Sequence, residues 1–375
     1  MTFFGENIPK LGFGLMRLPQ QPAGVVDIEA TKKLVDAFME SGFTYFDTAY
    51  GYIAGESEKA IKTAIVDRYP RESFKLATKL PAWAGAKTAE EARAMFDTSL
   101  ERTGAGYFDF YLLHNIGGAR IKAFDNFGMW DYLTELKEKG LVKHIGFSFH
   151  DDAATLDKVL TAHPQMDVVQ LQINYADMES GAVQSRACLE VAAKHNKPVI
   201  VMEPIKGGAL ANPHDSVKAV FDAAPGDASY ASWAIRFAAS QPGVMVVLSG
   251  MNSMEQMDDN TSYMKDFKPL SDDEMAVIKK AQAALSALPG VPCTSCKYCS
   301  PDCPQKIFIP ELFDAMNKEL VYNDPMGAQY SYNLQKMFGS APATACVECG
   351  QCEAVCPQKI EIVKELKNVA AKYEK

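Results

Sequence analysis

Eight of the nine cysteines lie between Cys293 and Cys356, in two copies of one spacing. The first is Cys293-x2-Cys296-x2-Cys299-x3-Cys303-Pro304, the second Cys346-x2-Cys349-x2-Cys352-x3-Cys356-Pro357. Three thiolates set two residues apart can curl around one face of an iron–sulfur cubane. The fourth, followed by proline, is carried towards a second cubane. The doubled run therefore predicts two [4Fe–4S] clusters. Cys293, Cys296, Cys299 and Cys356 are expected on one, and Cys346, Cys349, Cys352 and Cys303 on the other. Zinc sites use cysteine pairs rather than runs of four closed by Cys-Pro. Nothing in MTFFGENIPK signals export to a compartment where eight cysteines would form four disulfides. Cys188 stands alone on an amphipathic stretch and reads as a packing residue.

Four further residues stand where apolar runs end. Asp47 and Tyr52 lie in FDTAYGY, Lys79 in ATK and His114 in LLH. Together they suit reduction of a carbonyl group. A phenol is a poor acid at neutral pH, but a nearby ammonium favours its phenolate, and a carboxylate holds that ammonium in place. Tyr52 is then the expected proton donor, Lys79 its modulator, Asp47 the anchor and His114 the group that orients the substrate oxygen. Taken singly, Asp47 is as well read as a turn cap with Lys79 its partner, and His114 as a core histidine. His150 could line the same pocket, whereas His144 begins its run and reads as structural. The methionines of MNSMEQM (251–257) read as helix packing.

These residues need a scaffold that gathers them. Eight short apolar runs recur before residue 270: 11–16, 44–49, 74–80, 109–115, 144–150, 168–174, 198–204 and 244–250. Most are apolar throughout, as parallel strands covered on both faces are. Between them lie helical patterns at 28–41, 56–67, 88–102, 129–139, 152–162, 182–195 and 227–240, with Gly42 and Gly140 placed as helix C-caps. The repeat predicts a (β/α)8 barrel, whose chemistry sits at the C-terminal ends of its strands. A doubly wound sheet would offer a glycine-rich dinucleotide turn after its first strand, and GFGLMRLP runs into a proline-containing loop instead. FFGENIPKLGFG can form a hairpin before the first strand. A last helical pattern, 271–288, gives way to LPGVP, so the expected domains are a barrel over 1–288 and a small, mainly helical two-cluster domain over 289–375. Helical stretches are expected near 310–320 and 325–338.

Composition narrows the function. The 375 residues carry 38 Lys+Arg against 47 Asp+Glu, a formal charge of −9. A nucleic-acid partner is disfavoured by that balance, and no apolar run is long enough to span a bilayer. A cytoplasmic protein is expected, with a small carbonyl or alcohol substrate and a redox partner protein drawn to its acidic clusters.

The pattern Asp47-Thr-Ala-x-x-Tyr52, followed by Gly55-Glu56-Ser57-Glu58, Lys79 and Leu112-Leu113-His114, resembles the Asp/Tyr/Lys/His tetrad of the aldo-keto reductases. The tail Cys349-Gly-Gln-Cys352-Glu-x-x-Cys356-Pro-Gln-Lys-Ile resembles that of the subset with a C-terminal dicluster ferredoxin-type domain. The resemblance spans nearly the whole chain. It implies a nicotinamide cofactor, NAD(P)H with NAD versus NADP open, extended across the barrel mouth. By position, it places Ser148 and Gln172 on the carboxamide, and Glu203 and Lys206 in the pyrophosphate loop. Ser249, Gly250, Met251, Ser253, Gln256 and Asn260 fall in the segment that holds the adenosine end. The chain departs from the pattern at Phe149, where the family has Asn, and at Met202, where a Tyr usually stacks on nicotinamide. Gly250 and Gln256 stand where Lys and Arg often hold a 2′-phosphate.

The resulting expectation is an oxidoreductase of the aldo-keto reductase type, acting on a carbonyl/alcohol pair with NAD(P)H and using the clusters as accessory electron carriers. Alternatively, the barrel is a scaffold for an electron-transfer or interaction protein, or its remodelled pocket accepts a different ligand. Specificity in such a barrel depends on loops, here 115–128 and 208–227.

Overall fold

The structure, a computed structural model, describes residues 3–21, 24–181, 183–293, 295, 299–300, 303–356 and 358–374. Its packing forms two compact units. One comprises Met1–Met178, Val183–Lys206 and Ala231–Ser271, and the other Glu179–Ala182, Gly207–Tyr230 and Asp272–Lys375.

The first unit holds eight parallel strands: β1 (Leu11–Gly14), β2 (Tyr45–Asp47), β3 (Lys75–Leu80), β4 (Phe108–Ile116), β5 (Val142–Phe149), β6 (Val168–Gln172), β7 (Val199–Met202) and β8 (Val244–Ser249). Each pairs with the next, and β1 closes on β8, so the expected barrel is present. Each strand falls within or across one of the eight apolar runs. The helices Ile28–Glu40, Ala89–Thr103, Met129–Glu138, Ala153–Ala162, Ser185–Lys194 and Tyr230–Ala239 lie where the helical period predicts them. Gly42 and Gly140, each just past a helix, take left-handed φ of 89° and 71°. The expected helix over 56–67 is α-helical only over Glu56–Ile61. It then widens into a π-turn over Lys62–Val66, closed by the amide of Asp67 on the carbonyl of Lys62 and by the Lys62–Asp67 ion pair at 2.9 Å. The hairpin ahead of β1 shrinks to one antiparallel bridge between Phe3 and Glu6.

Strand side chains alternate between barrel interior and helix layer. Tyr45, Ala77, Phe110, Leu112, Val168, Ile200, Val246 and Leu248 share one parity and form the interior core, with Ile8 and Phe3 packed against them. His144 is part of this end, its ring stacked on Phe4 at 4.1 Å. One more residue along the same parity reaches Asp47, Lys79, His114, Ser148, Gln172 and Met202. The core thus fixes which face those side chains occupy.

Close packing imposes its own demand between β5 and β6. A Cβ on Gly146 would stand 2.2 Å from the carbonyl oxygen of Val168, and backbone in a closed barrel has nowhere to retreat.

In the second unit, the helix Asp272–Ser286 packs on Asp215–Asp222. The helices Ile309–Leu320, Pro325–Met337 and Ile362–Tyr373 surround Leu312, Phe313, Tyr332, Leu366 and Val369. Cys299, Cys352 and Cys356 are buried in that same cluster. Tyr332 stacks on Tyr373 at 5.6 Å, and the Glu374 carboxylate accepts from the Thr344 amide at 3.1 Å.

Gly146→Ala is expected to destabilise the barrel by about 1–3 kcal/mol or more, the range for forced overpacking, read as a lowered midpoint in denaturant unfolding. A midpoint equal to that of the unsubstituted protein would show that β5 and β6 have room.

Candidate active site

The site begins with a buried ion pair. Lys79 on β3 has no exposed side-chain surface, and its Nζ lies 2.5 Å from Asp47 Oδ1 on β2. It also donates to the Thr48 carbonyl at 2.7 Å and reaches the Tyr52 hydroxyl at 3.5 Å. Asp47 Oδ2 accepts from Gln170 Nε2 at 3.3 Å. Burial alone would discharge the lysine. The Asp47 carboxylate and the Tyr52 oxygen outweigh it, so Lys79 is held above its usual value and stays an ammonium. Asp47 is raised by burial against the opposing pull of Lys79. The two act as one titrating unit, which we take as ionised because the ammonium has three acceptors at its reach.

Tyr52 differs from the sequence expectation. Burial raises its pKa by more than Lys79 lowers it, so the phenol keeps its proton at rest. Its ring stands edge-on to His114, with centroids 5.8 Å apart and planes at 79°. His114 is held well below its usual value by burial, then by Lys79, His150 and Arg120, so its imidazole is neutral. His114 Nδ1 is buried with no hydrogen-bond partner, an unspent polar atom beside the phenol. The four tetrad positions are thus together. His150 lies near enough to feel the charges of Arg120 and Lys79.

The Tyr52 loop is held under tension. Ile53 and Ala54 take left-handed φ of 50° and 55°, a region costly for side chains with a Cβ. The Gly55-Glu56-Ser57-Glu58 segment anchors it. Ser57 Oγ lies 2.7 Å from Thr48 Oγ1 and donates to the Leu15 carbonyl at 2.9 Å. Glu58, fully buried, accepts from Thr78 Oγ1 at 2.7 Å and Arg102 at 3.1 Å. Arg102 also binds the Tyr50 carbonyl at 2.9 Å.

The expected cofactor residues fall into three groups around the strand ends. Ser148 Oγ, at the end of β5, accepts from the Asn115 amide at 2.8 Å. At the ends of β6 and β7, Gln172 donates to Asp177 at 2.8 Å and Lys206 to the other oxygen of Asp177 at 2.7 Å. Asn174 ties this group to the Glu203 carbonyl at 3.0 Å, with Met202 partly buried beside it at the end of β7. At β8, Ser249 Oγ accepts from Asn260 Nδ2 at 2.9 Å. Ser253 caps the helix Met254–Met264 through the Gln256 amide at 3.3 Å, and Gln256 Oε1 accepts from the Asn252 amide at 2.9 Å. Met251 is buried. Gly250 lies against β1, where a Cβ would approach the Gly14 carbonyl at 3.7 Å and Arg17 Cβ at 3.8 Å. A capped helix N-terminus after a strand presents the amides that favour an anion, and the polar strand-end groups suit a carboxamide and hydroxyls. The residues present therefore fit a nicotinamide dinucleotide.

Two residues of this machinery escaped the sequence reading. Gln170 and Asp177 are buried polar groups at the hubs of their networks. Gln170 shares the inward parity of Val168 and Gln172, which is the signal that could have found it. Asp177 lies beyond the strand, in a turn its own amide closes on Asn174 Oδ1 at 2.8 Å.

In the second unit, Cys303, Cys346, Cys349 and Cys352 line one cavity, walled by Ile307, Ile309, Val363 and Leu366. The last cysteine of the first run therefore meets the first three of the second. Cys293 is partly buried and Cys299 and Cys356 buried in the neighbouring core; Cys296 lies outside the described residues. The four cysteines share an apolar cavity, but among the described residues no three His, Cys, Asp or Glu side chains converge closely enough to hold a metal ion. Burial raises the Cys299 and Cys352 thiols to about 11, so bare thiols here stay protonated. Lone Cys188 is buried and pushed up to about 12 by burial, as a packing residue is. No helix is long and apolar enough to cross a membrane among the described residues.

The aldo/keto reductase family model matches residues 10–283, and the 4Fe-4S dicluster domain model matches residues 292–361. An aldo-keto reductase of Mycolicibacterium vanbaalenii is 30% identical over 281 residues, 73% of this chain and 88% of that protein. One of Mycolicibacterium smegmatis is 32% identical over 145 residues, and the match spans about half of its length, 47%. The structure of an aldo-keto reductase of Bacillus halodurans in its holo form superposes with a TM-score of 0.61 at 22% identity, over 74% of this chain and 93% of that one. An aldo-keto reductase of Klebsiella pneumoniae in complex with NADPH gives 0.56 at 22% identity, over 73% and 90%. At these identities the structural likeness shows the fold.

Lys79→Met is expected to leave Asp47 buried and unpaired, at a cost of about 3–5 kcal/mol. Adding Asp47→Asn to it should recover part of that loss. Denaturant unfolding of the single and double variants measures both, and additive losses would dissolve the pair.

Proposed function

The chain belongs to the aldo/keto reductase family, and on that footing we propose that it interconverts a small carbonyl compound and its alcohol with a nicotinamide cofactor. The observation that carries this is the Lys79 ammonium, 2.5 Å from Asp47 and 3.5 Å from the Tyr52 oxygen. When bound, the nicotinamide supplies hydride to the carbonyl carbon. Tyr52 gives its proton to the carbonyl oxygen as that oxygen gains charge. The Lys79 ammonium stabilises the phenolate left behind, and Asp47 and the Thr48 carbonyl hold the ammonium in place. His114, neutral, donates a hydrogen bond to the same oxygen and fixes its position between imidazole and phenol. Ser148 and Gln172 would hold the carboxamide. Met202 would offer a thioether contact to the ring. The segment Ser249, Gly250, Met251, Ser253, Gln256 and Asn260 would take the adenosine end, and Glu203 and Lys206 would serve the pyrophosphate. Neither Gly250 nor Gln256 brings a charge to a 2′-phosphate, so NADH should bind at least as tightly as NADPH.

Two [4Fe–4S] clusters are part of the same proposal, one on Cys303, Cys346, Cys349 and Cys352, the other on Cys293, Cys296, Cys299 and Cys356. Hydride carries two electrons and a cubane passes one, so carbonyl reduction in the barrel does not require the clusters to turn over. They would serve as accessory carriers for a partner protein and as part of the fold. Acting in solution, the protein is read as cytoplasmic.

Tyr52→Phe should lower carbonyl-reduction kcat by about 10²–10⁴-fold while NADH still quenches protein fluorescence in a titration. Unchanged turnover would remove Tyr52 from the chemistry, whereas binding of neither NADH nor NADPH would favour the scaffold reading. With His114 neutral, kcat/KM should show no inflection near 6.5, the ordinary histidine value. With Tyr52 raised, the alkaline fall should lie above the ordinary phenol value of 10.0, because reduction needs the protonated phenol. Anaerobically prepared protein should hold about eight iron and eight sulfide per chain; a stoichiometric zinc content instead would overturn the cluster assignment.

A further inference from the structure

Beyond the tetrad, Arg120 at the barrel mouth has no ion-pair partner among the described residues. Arg120 follows β4, in the loop between Ile116 and the helix Ile121–Asn126. Its Nε donates to the Asn115 carbonyl at 2.9 Å, so the side chain is pinned to the residue next to His114. Its guanidinium carbon stands 5.9 Å from the Trp83 ring centroid. Trp83 in turn donates through Nε1 to the His114 carbonyl at 2.7 Å. The arginine, the indole and the histidine backbone thus brace one another. Trp83 keeps 40% of its surface exposed, so this braced platform faces solvent.

Among the described residues no carboxylate stands within ion-pair distance of Arg120, although the charge of Asp151 reaches it. Asp151, the acid whose charge it feels, is spent on the Gly118 amide at 2.6 Å and the Asp152 amide at 2.8 Å. Asp47 is occupied by Lys79. His114 and His150, which also feel Arg120, are held in their neutral forms. Glu203 faces Arg17 at 3.9 Å. Arg120, on the β3–β5 side of the mouth, therefore has no direct ion-pair partner among the described residues, and Asp151 offsets its charge only from a distance. With Nε taken, Arg120 keeps its two terminal nitrogens, the pair that meets a carboxylate in parallel hydrogen bonds.

We propose that Arg120, held over Trp83 beside His114, binds a carboxylate of the substrate, so that the carbonyl compounds this protein handles are oxo or aldehydo acids. The proposal rests on the carbonyl-reduction reading and names its substrate class. A half-buried guanidinium left without an acid is costly to keep, and a bound carboxylate removes that cost. Arg120 is a specificity residue here, and the proton and hydride steps stay with the groups already described.

The test compares matched aldehydes with and without a carboxylate, succinic semialdehyde against butanal and 4-carboxybenzaldehyde against benzaldehyde, on the full-length cluster-loaded protein. The reading is the ratio of kcat/KM within each pair. Wild type should prefer the acid in at least one pair. Arg120→Met should lower that ratio on the order of ten- to a hundredfold, the weight of a charged hydrogen bond, and Arg120→Lys should keep part of it. A merely structural arginine would lower both members and leave the ratio unmoved, which overturns the proposal, as does a wild-type ratio near one in both pairs. Benzoate binding, followed by tryptophan fluorescence, reads the site without turnover. Benzoate binding lost in Arg120→Met while no aldehyde is reduced would uphold the anion site and sink the carbonyl reading. Equal benzoate binding by wild type and Arg120→Met would sink the anion site alone.

Discussion

A buried charge pair organises the barrel's upper half. Lys79 and Asp47 sit where the interior layers of a (β/α)8 core would otherwise be filled by branched apolar side chains. Neither could be buried alone without discharging. The pair can persist because its remaining valences are filled, by the Thr48 carbonyl on one side and the Gln170 amide on the other. Its cost is carried by the apolar layers beneath, Tyr45, Ala77 and Leu112 among them. Once paired, the ammonium becomes a fixed positive centre next to a phenol. Everything else at the mouth is arranged with respect to it: the histidines are kept neutral and the Tyr52 loop is drawn in.

The tail meets a different constraint with a different solution. Its helices are few and its apolar cluster is small, and three of the residues that complete it are thiols. Cys303 joins Cys346, Cys349 and Cys352 at one cavity, so a cubane there would tie together two segments far apart in sequence. Were clusters bound there, metal binding and folding would be coupled, which would give the tail a reason to hold them that does not depend on redox.

Much of this was legible before any coordinates. Eight apolar runs at regular intervals marked eight strands because a covered parallel strand is apolar on both faces. The tetrad was legible because Asp47, Lys79 and His114 lie towards the ends of such runs and Tyr52 in the loop after one. The doubled cysteine spacing predicts Cys303 beside the second run, and Cys303 lines the same cavity as Cys346, Cys349 and Cys352. What the sequence hid follows from the same physics. Gln170 and Asp177 carry no motif, and they matter only through the partners that folding brings to them. The direction of the Tyr52 shift was hidden too. A neighbouring ammonium can be inferred from residue types, whereas the depth of burial that outweighs it cannot. The π-turn at Lys62–Val66 differs from a plain helix by one residue of register, which periodicity does not resolve.

Ile53 and Ala54 place the Tyr52 phenol on a spring. A branched residue and an alanine in consecutive left-handed conformations mean that this stretch would relax if released, and the Ser57, Glu58 and Arg102 contacts are what restrain it. Such a segment sets a trade between durability and precision. A more permissive residue at Ile53 would make the protein sturdier while letting the phenol wander from the ammonium. Selection for heat resistance alone would therefore erode this loop first, and a thermally hardened descendant that keeps its activity must have found its stability elsewhere.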